Sequence, residues 1–339
     1  MQTITIKETS KLLIGEKMDN LSQYLPSANV VIITDTNLYR LYAQKFPDVP
    51  VITIETGEGI KTLKTVEFII DKLIELQVDR HSFLLGIGGG VVCDITGFVA
   101  SVYMRGIDFG FVSTSLLSQV DASIGGKNGV NFSAYKNLIG TFNQPQFVIC
   151  DTEMLATLPN IEIQNGMAEI IKHALIADKE MLQLIADNTD KILNLDTDIL
   201  PLLIEKNIKI KAKIVASDEK EQGKRKILNF GHTLAHAIET VTHIPHGQAV
   251  AIGMVFASKL SYQQSYISKT NLEDIISLIK SLGLPTNIDG NKTQIIDVIA
   301  KDKKRNGETL DFILLNSIGQ ARIETMGIDD LKKLFYDLC

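Results

Sequence analysis

The sequence predicts an α/β domain built on a mainly parallel sheet, followed by a mostly α-helical domain. Two observations carry this reading. Short apolar runs alternate with helical patterns over the first ~150 residues, and from about residue 152 nearly every segment has helical period instead. No internal repeat or low-complexity tract interrupts the chain, and 339 residues are enough for two domains with sizeable cores.

In the first part, residues 29–34 (NVVIIT), 51–55 (VITIE), 82–87 (SFLLGI), 109–113 and 146–150 read as buried strands. The first ten residues, MQTITIKETS, also read as a strand. Residues 62–76 carry Leu63, Val66, Ile69, Ile70, Leu73 and Ile74 at helical spacing, and an apolar helix is expected over 91–103. In the second part, helices are expected near 163–178, 179–194, 198–216, 231–243, 247–266, 271–281 and 327–338. A late hairpin is expected from residues 309–315 and 320–324, and the domain boundary near 151–159.

Composition narrows the function classes. Hydrophobic content of 45% with 22% charged residues is ordinary for a soluble enzyme. A net charge of −6 argues against a nucleic-acid partner held on a basic surface. Cys93, Cys150 and Cys339 are widely spaced and form neither a zinc-finger pattern nor a disulfide framework, which points to a reducing compartment. No secretory pattern opens the chain, and no run of about 18 apolar residues would span a membrane. A cytoplasmic protein with no membrane partner is expected.

Four places hold chemistry-bearing residues. Gly88, Gly89 and Gly90 follow a strand and open a helix, where bare backbone N–H groups can cradle a phosphate. The spacing is not that of a dinucleotide fingerprint, and a tight turn is the plainer alternative. Asp94, at the exit of this turn, fits either a helix cap or a cofactor contact. Asp35 and Asn37 end an earlier strand, where ligands of open parallel sheets gather, although turn and capping roles fit them too. Residues 113–145 read as a glycine-rich loop in which Asp121, Lys127, Lys136 and Asn137 sit among small residues. Such lysines suit a phosphorylated or carboxylated substrate.

The fourth place is a histidine cluster. Four of the six histidines, His232, His236, His243 and His246, fall within fifteen residues. A catalytic zinc takes three ligands from His and carboxylate side chains. Spacing alone nominates His232 with His236, at i and i+4, and Glu239 follows on the same face. It leaves open a set drawn from three helices: Glu169, His232 and His246. Glu169, Lys172 and His173 share one face of the expected helix over 163–178. Lysines near Lys211 and Lys303 read on spacing alone as solvated faces.

Taken together, GGGVVCDITGFVAS, VDASIGGKNGVN, KNLIGTFNQP, GMAEIIKHA, DEKEQGKRKILNFGHTLAHAIE and HGQAVAIGM resemble the 3-dehydroquinate synthase family, from about residue 30 to about residue 320. The resemblance implies a Rossmann-like NAD-binding α/β domain over 1–155 and a helical metal- and substrate-binding domain over 156–339, with the site enclosed between them. It implies conversion of 3-deoxy-D-arabino-heptulosonate 7-phosphate to 3-dehydroquinate and phosphate, a step of the shikimate pathway. The route is transient NAD-dependent oxidation, β-elimination, reduction and aldol closure.

Carried over by motif, the resemblance implies Glu169, His232 and His246 as ligands of Zn²⁺ or Co²⁺, and His236 in proton transfer. It implies Asp121, Lys127, Asn137, Lys172, Lys211, Arg225, Asn229 and Lys303 at the substrate. NAD would meet Asp35, Asn37, Glu58, Lys61, Gly89, Gly90, Asp94, Thr114, Ser115, Lys127 and Lys136. A homodimer is implied as well. Asn128, Gln248 and Cys93 depart from the usual family residues without removing a catalytic group. The rival readings are another sugar-phosphate cyclase, such as 2-deoxy-scyllo-inosose synthase, and a metal-dependent polyol dehydrogenase.

Overall fold

The computed structural model describes residues 2–6, 10–133, 135–303 and 309–338. The chain divides into two compact units, Met1–Leu158 with Lys211–Ala216, and Pro159–Ile210 with Ser217–Cys339.

The first unit contains β1 (Gln2–Ile6), β2 (Ser10–Ile14), β3 (Val30–Asp35), α1 (Thr36–Tyr42), β4 (Val51–Ile54), α2 (Leu63–Glu75) and β5 (Phe83–Gly88). It continues with α3 (Gly90–Val102), β6 (Asp108–Ser113), β7 (Lys127–Phe132), β8 (Tyr135–Phe142) and β9 (Phe147–Cys150). Seven strands form one sheet in the order β1-β2-β9-β6-β5-β3-β4. Every pair in it is parallel except the β1–β2 hairpin. The central strands are continuous apolar runs because both faces are covered. Val30, Ile32, Phe83, Leu85, Ile87, Phe147 and Ile149 join one core cluster. Their alternates Val31, Ile33, Leu84 and Val148 are fully buried too. Helix α3 lies close on β5, since a Cβ at Gly86 would stand 2.9 Å from Thr96 Oγ1.

The second unit contains α4 (Asn160–Ala177), α5 (Lys179–Asp187), α6 (Thr189–Leu193), α7 (Ile199–Ser217, of which Lys211–Ala216 belong to the first unit), α8 (His232–Thr242) and α9 (His246–Gln263). After these come α10 (Lys269–Ser281), α11 (Lys292–Lys303), the antiparallel pair β10 (Thr309–Ser317) and β11 (Gln320–Gly327), and α12 (Ile328–Leu338). Its centre is α9, whose residues Ala249–Ala257 are all buried and which packs against α4 and α8. The approach to α8 needs glycine. Gly231 sits at φ +80°, and a Cβ on Gly253 would fall 2.0 Å from the Gly231 carbonyl oxygen.

The α/β and helical classes are as the sequence predicts, with four local corrections. The single strand expected at the N-terminus is the first of two, β1 and β2. The glycine-rich stretch is not a loop throughout: β7 and β8 form a hairpin packed on α3. Its glycines allow close pairing, because a Cβ on Gly129 would meet the Ile139 carbonyl oxygen at 2.7 Å. Helices α1 and α11 are additional. The expected helix over 179–194 breaks at Asn188, whose Nδ2 donates to the Leu184 carbonyl.

Candidate functional site

In the second unit, three helices bring Glu169, His232 and His246 together. Glu169 is fully buried in the middle of α4. Its Oε1 lies 3.4 Å from His232 Nε2 and 3.3 Å from His246 Nε2. Neither carboxylate oxygen makes a well-formed hydrogen bond, although Oε2 is ion-paired with Lys172 one turn on. Both imidazoles are anchored by their other nitrogen: His232 Nδ1 on the Phe230 carbonyl at 3.2 Å, His246 Nδ1 on Glu239 Oε1 at 2.7 Å. A buried carboxylate facing two imidazole nitrogens, each oriented from behind, is the donor set and outer support of a zinc-type centre. The residues present therefore fit a divalent metal.

Electrostatics agree with that geometry. Burial alone would raise Glu169, but Lys172 and His232 hold its carboxyl well below the usual range. Burial would lower His246, and the carboxylates of Glu169 and Glu239 instead push it up to about 10. Glu239 is the residue whose role sequence spacing left open; its i+7 position from His232 was the available signal. His236, paired with His232 by spacing, projects to solvent from α8, its ring centroid 5.6 Å from that of His232. Among the described residues, no metal-capable group includes His236. Exposed His243 ends α8 in left-handed conformation at φ +57°.

Arg225 and Asn229 lie on a short 3-10 turn, Lys224–Asn229. Arg225 is buried and donates to the Glu219 carbonyl, while Asn229 Nδ2 donates to Glu221 Oε1 at 2.6 Å. The preceding bend is held by Asp218, which accepts backbone N–H groups from Gln222, Gly223 and Arg225. His173 and Asn207, both fully buried, share a 2.8 Å hydrogen bond. Lys303 ends α11, and its side chain lies outside the described residues.

The first unit gathers a second set. Lys61 Nζ is ion-paired with Asp94 on α3 and donates to Asn137 Oδ1 at 2.5 Å. Asn131 extends this network: its Nδ2 donates to Glu58 Oε1 at 2.9 Å, and its Oδ1 accepts the Asn137 N–H at 2.8 Å. Glu58, Lys61, Asp94 and Asn137 thus form one network, with Asn131 the member that sequence reasoning missed. Burial raises the Asp94 carboxyl, with Lys61 opposing, and the carboxylates raise Lys61 against its own burial. Lys211 Nζ donates to both the carboxylate and the carbonyl of Asp121, which lies in a π-helical turn over Ser118–Ala122. Lys127 and Lys136 are exposed on the hairpin.

The glycine turn opens α3 with its backbone unobstructed by side chains. Helix α3 has no side-chain cap, and Gly89 lies against Ser115, whose Oγ would be 3.2 Å from a Cβ there. Gly88 cannot carry a side chain, since a Cβ would stand 2.4 Å from Val92. Thr114 pairs its N–H with the Gly88 carbonyl. The N–H groups at the uncapped start of α3 fit the phosphates of a dinucleotide. Asp35 takes the capping role, accepting the Leu38 N–H at 2.8 Å. Asn37 lines an open cleft with Thr36, Arg40 and Thr56. The unusual Asn128 is buried and bonded to the Gly126 and Asn143 carbonyls, so it serves the hairpin.

Comparison with known proteins identifies the family. Sequence profiles of the 3-dehydroquinate synthase N-terminal and C-terminal regions match residues 51–165 and 166–305. The chain belongs to the 3-dehydroquinate synthase family. It is 42% identical to the 3-dehydroquinate synthase of Thermoanaerobacter pseudethanolicus (strain ATCC 33223 / 39E), covering 98% of both chains. The enzyme of Thermodesulfovibrio yellowstonii is 41% identical over 98% of this chain and 95% of its own. Among solved structures, 2-deoxy-scyllo-inosose synthase complexed with carbaglucose-6-phosphate, NAD⁺ and Co²⁺ superposes with a TM-score of 0.89 at 25% identity, covering all of both chains. A probable glycerol dehydrogenase from Sinorhizobium meliloti shares the fold at 18% identity, TM-score 0.69, over 97% and 96% of the two chains.

Proposed function

We propose that this family member carries out its reaction with a divalent metal held by Glu169, His232 and His246, and with NAD in the first unit. The chain has 3-dehydroquinate synthase activity: it converts 3-deoxy-D-arabino-heptulosonate 7-phosphate to 3-dehydroquinate and phosphate. The observation that carries the reading is the convergence of Glu169 Oε1 with the two imidazole Nε2 atoms, each 3.3–3.4 Å away. The relatives at 41–42% identity favour this substrate over that of the inosose synthase, at 25%.

When bound, the metal supplies Lewis acidity toward a substrate hydroxyl, and NAD supplies an acceptor that takes a hydride and returns it. The chain's own residues do the rest. Gly89, Gly90, Thr114 and Ser115 receive the dinucleotide, with Asp35, Asn37, Glu58, Lys61, Asp94, Lys127 and Lys136 at its remaining groups. Asp121, Lys127, Asn137, Lys172, Lys211, Arg225, Asn229 and Lys303 bind the substrate. Lysines suit its phosphate as mobile point charges, and the rigid guanidinium of Arg225 suits a carboxylate. His236, exposed beside His232, moves protons. Residues 1–155 form the NAD-binding domain and 156–339 the metal- and substrate-binding domain. The enzyme works in the cytoplasm as a homodimer. The free thiols of Cys93 and Cys150 support a reducing compartment, and no described helix is long and apolar enough to cross a membrane.

One assay tests the reading: phosphate release from the heptulosonate phosphate with catalytic NAD⁺, followed by identification of the product. Stoichiometric phosphate and carbocycle without net NADH are expected. Net NADH would select the dehydrogenase reading, and phosphate without the carbocycle would reject the synthase.

A further inference from the structure

Helix α9 begins at His246 without a side-chain cap of its own, because Pro245 occupies the capping position. The first N–H groups of a helix need partners, and here one is supplied from another helix. The N–H of Gly247, next to His246, donates to Asn165 Oδ1 at 2.8 Å. Asn165 is 6% exposed and lies on α4, one turn before Glu169. Its Nδ2 donates to Glu162 Oε2 at 3.3 Å, which fixes which end of the amide faces α9. The contact is tight: a Cβ on Gly247 would fall 2.5 Å from Asn165 Cα. The start of α9 therefore rests on the backbone of α4, between the residue that follows His246 and the residue one turn before Glu169.

We infer that Asn165 is a positioning residue for the metal centre, whose side-chain oxygen caps α9 across helices and fixes His246 at its distance from Glu169. Glu239 sets the rotation of the imidazole, and Asn165 sets where its backbone starts. Neither touches the metal. Because no other side chain among the described residues caps α9 at this end, loss of the Asn165 oxygen leaves a buried N–H without its acceptor and lets His246 move off Glu169. The inference rests on the reading of Glu169, His232 and His246 as the metal ligands.

The test is Co²⁺ titration of the full chain, followed by visible absorption, which reports affinity and coordination geometry without turnover. Asn165→Leu keeps the volume and removes the acceptor; it should weaken Co²⁺ binding about tenfold or more and alter the absorption band. Asn165→Asp combined with Glu162→Gln keeps both the acceptor toward α9 and a donor–acceptor pair at 162, and should bind within about threefold of wild type. Should the Leu variant not fold, Asn165→Ala carries the same comparison. Unchanged affinity and spectrum in the Leu or Ala variant overturns the inference, as does equal weakening in the Leu variant and the Asn165→Asp/Glu162→Gln double variant, which would mark packing rather than the hydrogen bond. Co²⁺ binding that survives Glu169→Gln unaltered overturns the metal assignment itself, a different result from either of these.

Discussion

Glu239 Oε1 lies 2.7 Å from Nδ1 of His246, while Nε2 of the same ring faces Glu169 Oε1 at 3.3 Å. One imidazole is thus held between two carboxylates, and in the metal-free chain it is protonated at neutral pH, with its pKa near 10. A metal has to displace that proton. Binding at pH 7 should release about one proton from His246, and metal affinity should rise with pH up to about 10. Stability carries the opposite sign. The His246 contribution to the metal-free fold is full below about pH 6.5. It is lost as the pH rises through about 10. Calorimetry in buffers of different ionisation enthalpy measures the released proton, and no proton release would remove His246 from the ligand set. Glu239→Gln should cut metal affinity by about 10–100-fold and shrink the release.

The paired charges of the first unit make a second prediction. Lys61 is 4% exposed, so removing its ammonium in Lys61→Met leaves the Asp94 carboxylate without its main cationic partner. Breaking a buried pair on one side costs about 3 kcal/mol. The double variant Lys61→Met/Asp94→Leu should recover most of that stability in a denaturant melt, yet still bind NAD weakly. Full recovery of NAD binding by the double variant would show that the pair serves folding alone.

How much of this was legible in the sequence depends on how local the cause is. The runs NVVIIT and SFLLGI announce β3 and β5, because a strand buried on both faces must be apolar at every position. The β7–β8 hairpin was hidden because its residues neither alternate nor cluster; its pairing depends on Gly129 meeting Gly140 and on Asn128 fitting beside Gly97. Helical spacing points from His232 to His236, but the carboxylate that faces His232 and His246 comes from α4, some sixty residues upstream. No local period encodes which helix lies alongside. The family resemblance supplied Glu169 and His246, and the fold shows Glu239 and Asn165 behind them.

Close backbone packing predicts a third outcome. A methyl at position 253 would lie 2.0 Å from the Gly231 carbonyl oxygen and has only backbone to push against. Gly253→Ala should therefore lower stability by about 3 kcal/mol, at the upper end for overpacking. Because Gly231 precedes His232, metal affinity should fall with it. A melting temperature within a degree of wild type would mean that α8 and α9 are less constrained than their geometry indicates.

The histidine cluster offers the sharpest separation of roles. His232 and His246 face Glu169, whereas His236 projects to solvent on the adjacent turn and His243 ends the helix. If His236 moves protons without holding the metal, His236→Gln should lower kcat by about 10²–10⁴-fold while Co²⁺ binds within about threefold of wild type. His232→Gln and His246→Gln should lose the metal and the activity together. His243→Gln should change neither by more than about twofold. The i, i+4 alternative makes the opposite forecast: there His236→Gln would abolish Co²⁺ binding as completely as His232→Gln, and His246→Gln would leave it intact. Metal titration of the four variants distinguishes the two arrangements before any turnover is measured.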